Sequence, residues 1–172
     1  EMLLRGGEGK TGAGTRGAPA SRARREPQAW PGQTLKLVVV GTGRSYETRV
    51  REYVRAKGLD EVVLFLGQVG LKDLPHLYRA AQVFVYPSMY EGFGIPIIEA
   101  QHCFCPVITS TGSCFPEAGG PHSLYVETRD AGGPERIARA LRELLGDQGL
   151  AKTIRQEGKG FVKRFDPKIV AK

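Results

Sequence analysis

The sequence predicts an α/β fold in which a parallel β-sheet is flanked by helices. Short apolar runs rich in β-branched residues recur at 35–40, 62–66, 83–86, 105–109 and 124–126, as expected of strands buried in a parallel sheet. Between them stand stretches whose apolar residues repeat at helical spacing, such as Tyr46, Val50, Tyr53 and Val54, or Leu74, Leu77, Tyr78 and Ala81. Regular alternation of strand and helix calls for parallel strands joined by right-handed crossovers. A chain of 172 residues, 41% of them hydrophobic, is long enough for one domain with a core of ordinary size.

The beginning of the chain does not follow this pattern. From Gly6 to Arg25 it is mostly Gly, Ala, Arg, Ser and Thr, with neither helical nor strand periodicity. Such a stretch buries too little apolar surface to offset its ordering entropy, so residues 1–32 are expected to be an atypical, disordered segment. Gly9-Lys10-Thr11-Gly12 lacks the first glycine and the preceding strand of a phosphate loop. Met2-Leu3-Leu4 runs straight into Arg5-Gly6-Gly7, which is not a secretory pattern, and no apolar run has the length of a membrane span. A start on Glu1 reads as a fragment of a longer protein.

The first strand, 35–40, is almost wholly apolar and is expected to be buried on both faces. Gly41-Thr42-Gly43 turns the chain, Ser45 offers a helix cap, and Gly58 stops the helix that follows. Gly41, Gly43 and Arg44 read either as a loop that approaches a phosphate or as a plain strand-to-helix turn with an exposed arginine. A dinucleotide fingerprint would need a further glycine near Thr48, so a nicotinamide site is not supported. The second strand, 62–66, ends at Gly67, and Asp73 is placed to cap the next helix. After the strand at 124–126, Pro134 opens a helix with Ile137, Leu141, Leu144 and Leu145 on one face, and Gly146 closes it. A last helical region from Leu150 to Phe165 is expected to be interrupted at Gly158 and Gly160.

Charge and cysteines narrow the function. The net charge is +7, with six basic and three acidic residues in 1–30 and nineteen against fifteen in the remainder. The body is thus mildly basic, which suits attraction of a diphosphate or of the anionic face of a membrane. No basic run is interleaved with aromatic platforms, which argues against a nucleic-acid partner. Cys103, Cys105 and Cys114 lack zinc-ligand spacing and are expected as reduced, buried or half-buried thiols of a cytoplasmic protein. His76 reads as a surface residue, and His102 as a residue facing solvent or a neighbouring helix.

The stretch that carries chemistry is Tyr90-Glu91-Gly92-Phe93-Gly94-Ile95-Pro96-Ile97-Ile98-Glu99-Ala100, between a strand halted by Pro87-Ser88 and the strand opened by Pro106-Val107-Ile108. It reads as strand, glycine loop and helix, with Glu91 in the loop and Glu99 eight positions on, inside the helix. Open α/β sheets bind ligands at this carboxyl edge. The glycines admit close approach of backbone amides to an anion, and the helix start adds partial positive charge. Carboxylates accept hydrogen bonds from a polyhydroxylated ligand. The combination points to a nucleotide-sugar site.

Glu91 to Glu99, with its Pro-Ser and Gly-Phe-Gly context, resembles the E-x7-E element of the family 4 (group 1) retaining glycosyltransferases, in the C-terminal donor-binding domain of their GT-B fold. Leu37-Val38-Val39-Val40-Gly41-Thr42-Gly43, Val63-Leu64-Phe65-Leu66-Gly67-Gln68-Val69 and Leu77-Tyr78-Arg79-Ala80-Ala81 are similar to further phrases of that family, and Phe115-Pro116-Glu117 resembles its Leu-Pro-Glu turn, in order, from about Leu35 to about Phe165. The resemblance implies a Rossmann-like parallel sheet and a nucleotide-sugar-binding domain over 33–172. It implies that Glu91 holds hydroxyls of the donor sugar and that the amides of Phe93, Gly94 and Ile95 meet the sugar and diphosphate. Glu99 would take the two ribose hydroxyls, and Gln68 and Val69 would lie against the base. Residues 1–5 resemble part of a helix that the family carries between its first two strands.

The reaction implied is transfer of a sugar from a nucleotide-diphosphate sugar to an acceptor with retention of configuration, with no metal and no cofactor. The protein's main task would be to stabilise the departing diphosphate. The acceptor, a glycan or lipid, would be met through the family's N-terminal domain. That domain and the donor domain's first strand are missing from the resemblance, so the chain alone is expected to be weak or inactive. The expected location is cytoplasmic, with peripheral attachment at the inner membrane face. A non-catalytic nucleotide-binding module, a partner-dependent subunit and a sugar-nucleotide epimerase of GT-B fold are the alternatives, and Glu-Gly-Phe-Gly favours the transferase over the epimerase.

Overall fold

The computed structural model describes residues 35–166, so the expectations for 1–32 lie outside the described residues. The chain divides after Gly67 into two compact units.

In the first unit, strand β1 (Leu37–Val40) leads through Gly41 into helix α1 (Arg44–Ala56) and on to β2 (Val63–Gly67). The two strands pair in parallel, Val38 beside Leu64 and Val39 beside Phe65. The cap of α1 differs from the expectation, because Gly43 takes the cap position and Ser45 lies inside the helix. The Glu47 side chain reaches back to accept from the Gly43 amide at 3.0 Å, meeting one of the orphan donors of the first turn. Arg51 pairs with Glu47 one turn on and lies over the Phe65 ring at 4.2 Å. The helix ends as expected, with Gly58 at φ +65°.

The expected two-sided burial of β1 is corrected. Leu37, Val38 and Val40 are exposed, as are Leu64 and Leu66 on β2. Among the described residues of this unit β1 has one strand neighbour, β2, and Val54 is the one buried residue described in the helix between them. Leu37 and Val38 follow one another and point to opposite faces, so neither face of the strand is covered along its length.

The second unit follows the predicted alternation. Helix α2 (Leu74–Ala80), β3 (Phe84–Tyr86), α3 (Ile95–His102), β4 (Val107–Ser110), a short α4 (Phe115–Gly119), β5 (Leu124–Val126), α5 (Gly133–Gly146) and α6 (Gln148–Phe161) succeed one another, with 3-10 turns at Gly120–His122 and Val162–Phe165. The strands form a parallel sheet in the order β3-β4-β5, with Val85 beside Ile108 and Ile108 beside Leu124. The central strand β4 is buried at every position. Its side chains alternate between two cores. Val107 packs with Tyr78, Ile97, Ala100, Cys105 and Phe115, whereas Ile108 packs with Val126, Ala140, Leu144 and Ile154. Burial on both faces, expected of β1, is thus the property of β4.

Three local expectations need correction. Asp73 occupies the cap position of α2, but its side chain makes no capping bond; its backbone is already helical, at φ −94° and ψ −25°, unlike the extended backbone usual at a cap. The Phe115-Pro116-Glu117 turn is the first part of α4. Glycines do not interrupt α6, which runs through Gly158 and Gly160. Gly158 is buried against Gln101, where a methyl would stand 3.3 Å from the amide, so the lack of a side chain lets α6 approach α3 closely. The three cysteines are free, Cys103 and Cys105 buried and Cys114 half-buried, and His76 is exposed. Among the described residues no helix is long and apolar enough to cross a membrane.

Candidate functional site

The site is built at the carboxyl end of β3. After Tyr86 the chain leaves the sheet and crosses Glu91 before turning at Gly94 into α3. Gly94 caps that helix in the left-handed region, at φ +82°. A methyl there would stand 3.0 Å from the Ala118 side chain, so both conformation and space ask for glycine. Pro96 in the first turn fixes the helix start and needs no acceptor. Among the described residues no backbone bond is donated by the amides of Phe93, Gly94 or Ile95, which leaves three donors at the positive end of a helix.

The loop is held from the opposite side by the segment after β4. Ser113 Oγ donates to the Glu91 carbonyl at 3.1 Å, and Cys114 Sγ lies 3.4 Å from the same oxygen. Ser113 itself has φ +51°, a left-handed conformation uncommon for a residue with a side chain. The other hydroxyls of this segment are also engaged. Ser110 pairs with Thr128 at 2.8 Å, and Thr111 donates to Glu127 at 2.9 Å.

Each of the two glutamates receives a tyrosine hydroxyl. Tyr86 donates to Glu91 Oε1 at 2.6 Å, joined there by Ser88 Oγ at 2.9 Å. Tyr78, on α2, donates to Glu99 Oε2 at 3.3 Å. The two tyrosines belong to one row of rings. Tyr78 meets Phe84 edge-on at 5.2 Å, Phe84 stacks on Tyr86 at 5.6 Å, and Tyr86 meets Phe115 edge-on at 6.5 Å. Burial, followed by the neighbouring carboxylate, pushes the ionisation of both hydroxyls far above that of an ordinary tyrosine. Both therefore stay protonated donors at working pH.

Glu99 opens on a groove of about 310 Å³ between α2, α3 and the last 3-10 turn. Leu71, Leu74, Tyr78 and Ile98 give it apolar walls, and His102 and Lys163 bring polar groups to it. Phe93 packs edge-on against Phe165 of that turn at 5.7 Å, and Phe165 against Phe161 at 6.0 Å. The C-terminal turn thus braces the glycine loop. Sequence reasoning did not find Tyr78, Tyr86 or Phe165 as neighbours of the site; an apolar ring in a helix or strand announces burial, not the partner of its hydroxyl or edge.

Of the other predicted residues, Gln68 and Val69 follow β2 and begin the second unit, with Gln68 exposed and Val69 half-buried. Gly41 and Gly43 lie in the first unit, where Gly41 has φ +112° and its amide donates to the Gly67 carbonyl at 2.7 Å. Arg44 is the first residue of α1, and its side chain is outside the described structure. Among the described residues no group of three or more His, Cys, Asp or Glu is placed to hold a metal ion.

Comparison with known proteins fits this architecture. Residues 26–161 match the family described as Glycosyl transferases group 1. The O-antigen chain mannosyltransferase B of Escherichia coli is 48% identical over 68 residues, covering 40% of this chain and 18% of that protein. Among solved structures, sucrose-phosphate synthase from Thermosynechococcus elongatus superimposes with a TM-score of 0.67 at 32% identity, over 74% of this chain and 33% of that one. The C-terminal domain of a group 1 family protein (LpcC) from Francisella tularensis gives a TM-score of 0.63 at 29% identity, over 74% of this chain and 68% of that one. The chain therefore spans less than a fifth of the length of the mannosyltransferase and a third of that of the synthase. With 136 of its 172 residues inside the family match, and with parallel, helix-flanked sheets like those of its GT-B neighbours, the chain belongs to the group 1 glycosyl transferases and has their α/β, Rossmann-like architecture.

Proposed function

We infer that this chain is the donor half of a retaining glycosyltransferase, holding a nucleotide-diphosphate sugar while its glycosyl group passes to an acceptor. The observation that carries the reading is the pair of carboxylates flanking the start of α3. Glu91 lies in the glycine loop, Glu99 opens on an apolar groove, and between them lie the amides of Phe93, Gly94 and Ile95, which donate to no backbone carbonyl among the described residues.

On this reading the diphosphate meets those amides and the helix dipole, which stabilise charge as the bond from anomeric carbon to phosphate oxygen breaks. The acceptor oxygen forms the new bond, and its proton leaves with the diphosphate. Glu99 accepts from the ribose hydroxyls, and Glu91 accepts from hydroxyls of the sugar. Gln68 and Val69 line the base. The donor is a substrate, and neither metal nor cofactor is assigned. The mannosyltransferase name of the Escherichia coli relative supports a hexosyl donor. The acceptor, a glycan or lipid, would be supplied by a further domain, with the whole enzyme cytoplasmic and attached to the inner membrane face.

Calorimetric titration of the chain with UDP, GDP and ADP tests this. The reading expects one base to bind in preference to the others. A folded chain that binds none of the three contradicts it.

A further inference from the structure

We propose that Tyr86, assisted by Ser88, is a positioning residue for donor recognition, fixing the Glu91 carboxylate through Oε1 so that Oε2 meets the sugar. This rests on the donor reading of the site and adds a residue pair to it. Both hydroxyl bonds land on the same oxygen, at 2.6 Å from Tyr86 and 2.9 Å from Ser88. Among the described residues no bond is made to the other oxygen, which is left to accept from a ligand.

The support comes from the sheet and not from the loop. Tyr86 is the last residue of β3, and its ring is fixed between Phe84 and Phe115. The Glu91 backbone is held independently, by Ser113 and Cys114. A loop carboxylate tied at its backbone and at one oxygen has few rotamers left to lose when it binds, which is how preorganisation raises affinity. Ser88 alone, on the loop itself, would move with Glu91. The ring anchored in the sheet provides the fixed reference.

The experiment compares wild type, Tyr86→Phe, Ser88→Ala and Glu91→Gln in the full chain. Each is titrated calorimetrically with UDP, GDP and ADP and with UDP-glucose, GDP-mannose and ADP-glucose. The quantity of interest is the ratio of Kd for the nucleoside diphosphate to Kd for the matching nucleotide sugar, which isolates recognition of the sugar. The ratio is expected to fall about tenfold in Glu91→Gln and about three- to tenfold in Tyr86→Phe, with the diphosphate Kd unchanged. An unchanged ratio in Tyr86→Phe overturns the proposal. Parallel loss of both affinities also overturns it, since that marks a residue that only stabilises the loop.

A ligand-free measurement tests the contact itself. The alkaline absorbance titration of Tyr86, taken as wild type minus Tyr86→Phe, should shift to lower pH in a Glu91→Gln background, because the carboxylate that opposes ionisation is gone. Absence of that shift removes the contact and the proposal with it. If Glu91→Gln produces the shift but wild type binds no nucleotide, the donor reading fails while the contact stands, and the positioning role fails with the donor reading.

Discussion

The hydroxyl of Tyr78 donates to Glu99 Oε2 across 3.3 Å, tying α2 to the helix that carries the site's second carboxylate. Tyr78 is buried in the core beneath α3, in edge contact with Phe84. Its ring and its hydroxyl therefore make separable contributions. Tyr78→Phe keeps the packing and is expected to lower stability by about 0.5–1.5 kcal/mol, the net worth of one such bond. Tyr78→Ala opens a cavity and should cost about 3–5 kcal/mol. Urea unfolding of both variants measures the difference.

Two glycines are predicted to resist alanine for steric reasons, and a third to accept it. Gly94 combines φ +82° with a neighbour 3.0 Å from the added carbon, so Gly94→Ala should cost about 1–3 kcal/mol. At Gly120, with φ +58°, the added carbon would stand 2.6 Å from the Phe161 ring, which cannot swing aside without leaving Phe165. Gly120→Ala is expected to cost about 2–4 kcal/mol. A methyl at Gly146 would meet nothing within 4 Å, so Gly146→Ala should change stability by less than about 1 kcal/mol. Thermal unfolding of the three variants ranks them.

The cysteines should separate by reactivity. Burial pushes the Cys105 thiol up to about 12 against the charge of nearby Arg155, which pulls it down. Cys105 should therefore resist iodoacetamide in the native protein and react once the chain is unfolded, whereas half-buried Cys114 should react first. Mass spectrometry of the alkylated chain reads the order. The same shift predicts a pH effect. The folded-state value lies above the unfolded one of 9.0, so this contribution is complete below about pH 9. It is lost as pH rises toward 12, because the unfolded chain gives up its proton first, at about 1.4 kcal/mol per pH unit for one group. Cys105→Ala should flatten that alkaline slope.

The limits of reading this fold from sequence show in particular residues. The strand at 124–126 was legible to the residue, and the helix closed by Gly146 to within one, because Pro134 and the glycine are local signals that need no partner. The loop–helix junction of Glu91 to Glu99 was legible for the same reason. Burial of β1 was not, since an apolar run states what a strand could bury and not how many layers cover it. Nor was continuity of α6, where Gly158 lowers local propensity but makes room for Gln101 of α3. That Gln101 binds the Gly119 carbonyl and Ser123 at 2.8 and 3.0 Å could not be read from a chain position eighteen or more residues away. Pairings of Tyr78, Tyr86 and Phe165 with the site are tertiary contacts of the same kind.

The most direct test of the account is the calorimetric titration of wild type and Glu99→Gln with the nucleoside diphosphate that binds best among UDP, GDP and ADP. The variant keeps the shape of the groove and removes the charge that the ribose hydroxyls would meet. The account predicts a Kd at least about tenfold weaker in Glu99→Gln, with its unfolding midpoint within a few degrees of wild type. Equal affinity of the two proteins would contradict the role given to Glu99 and, with it, the placement of the donor.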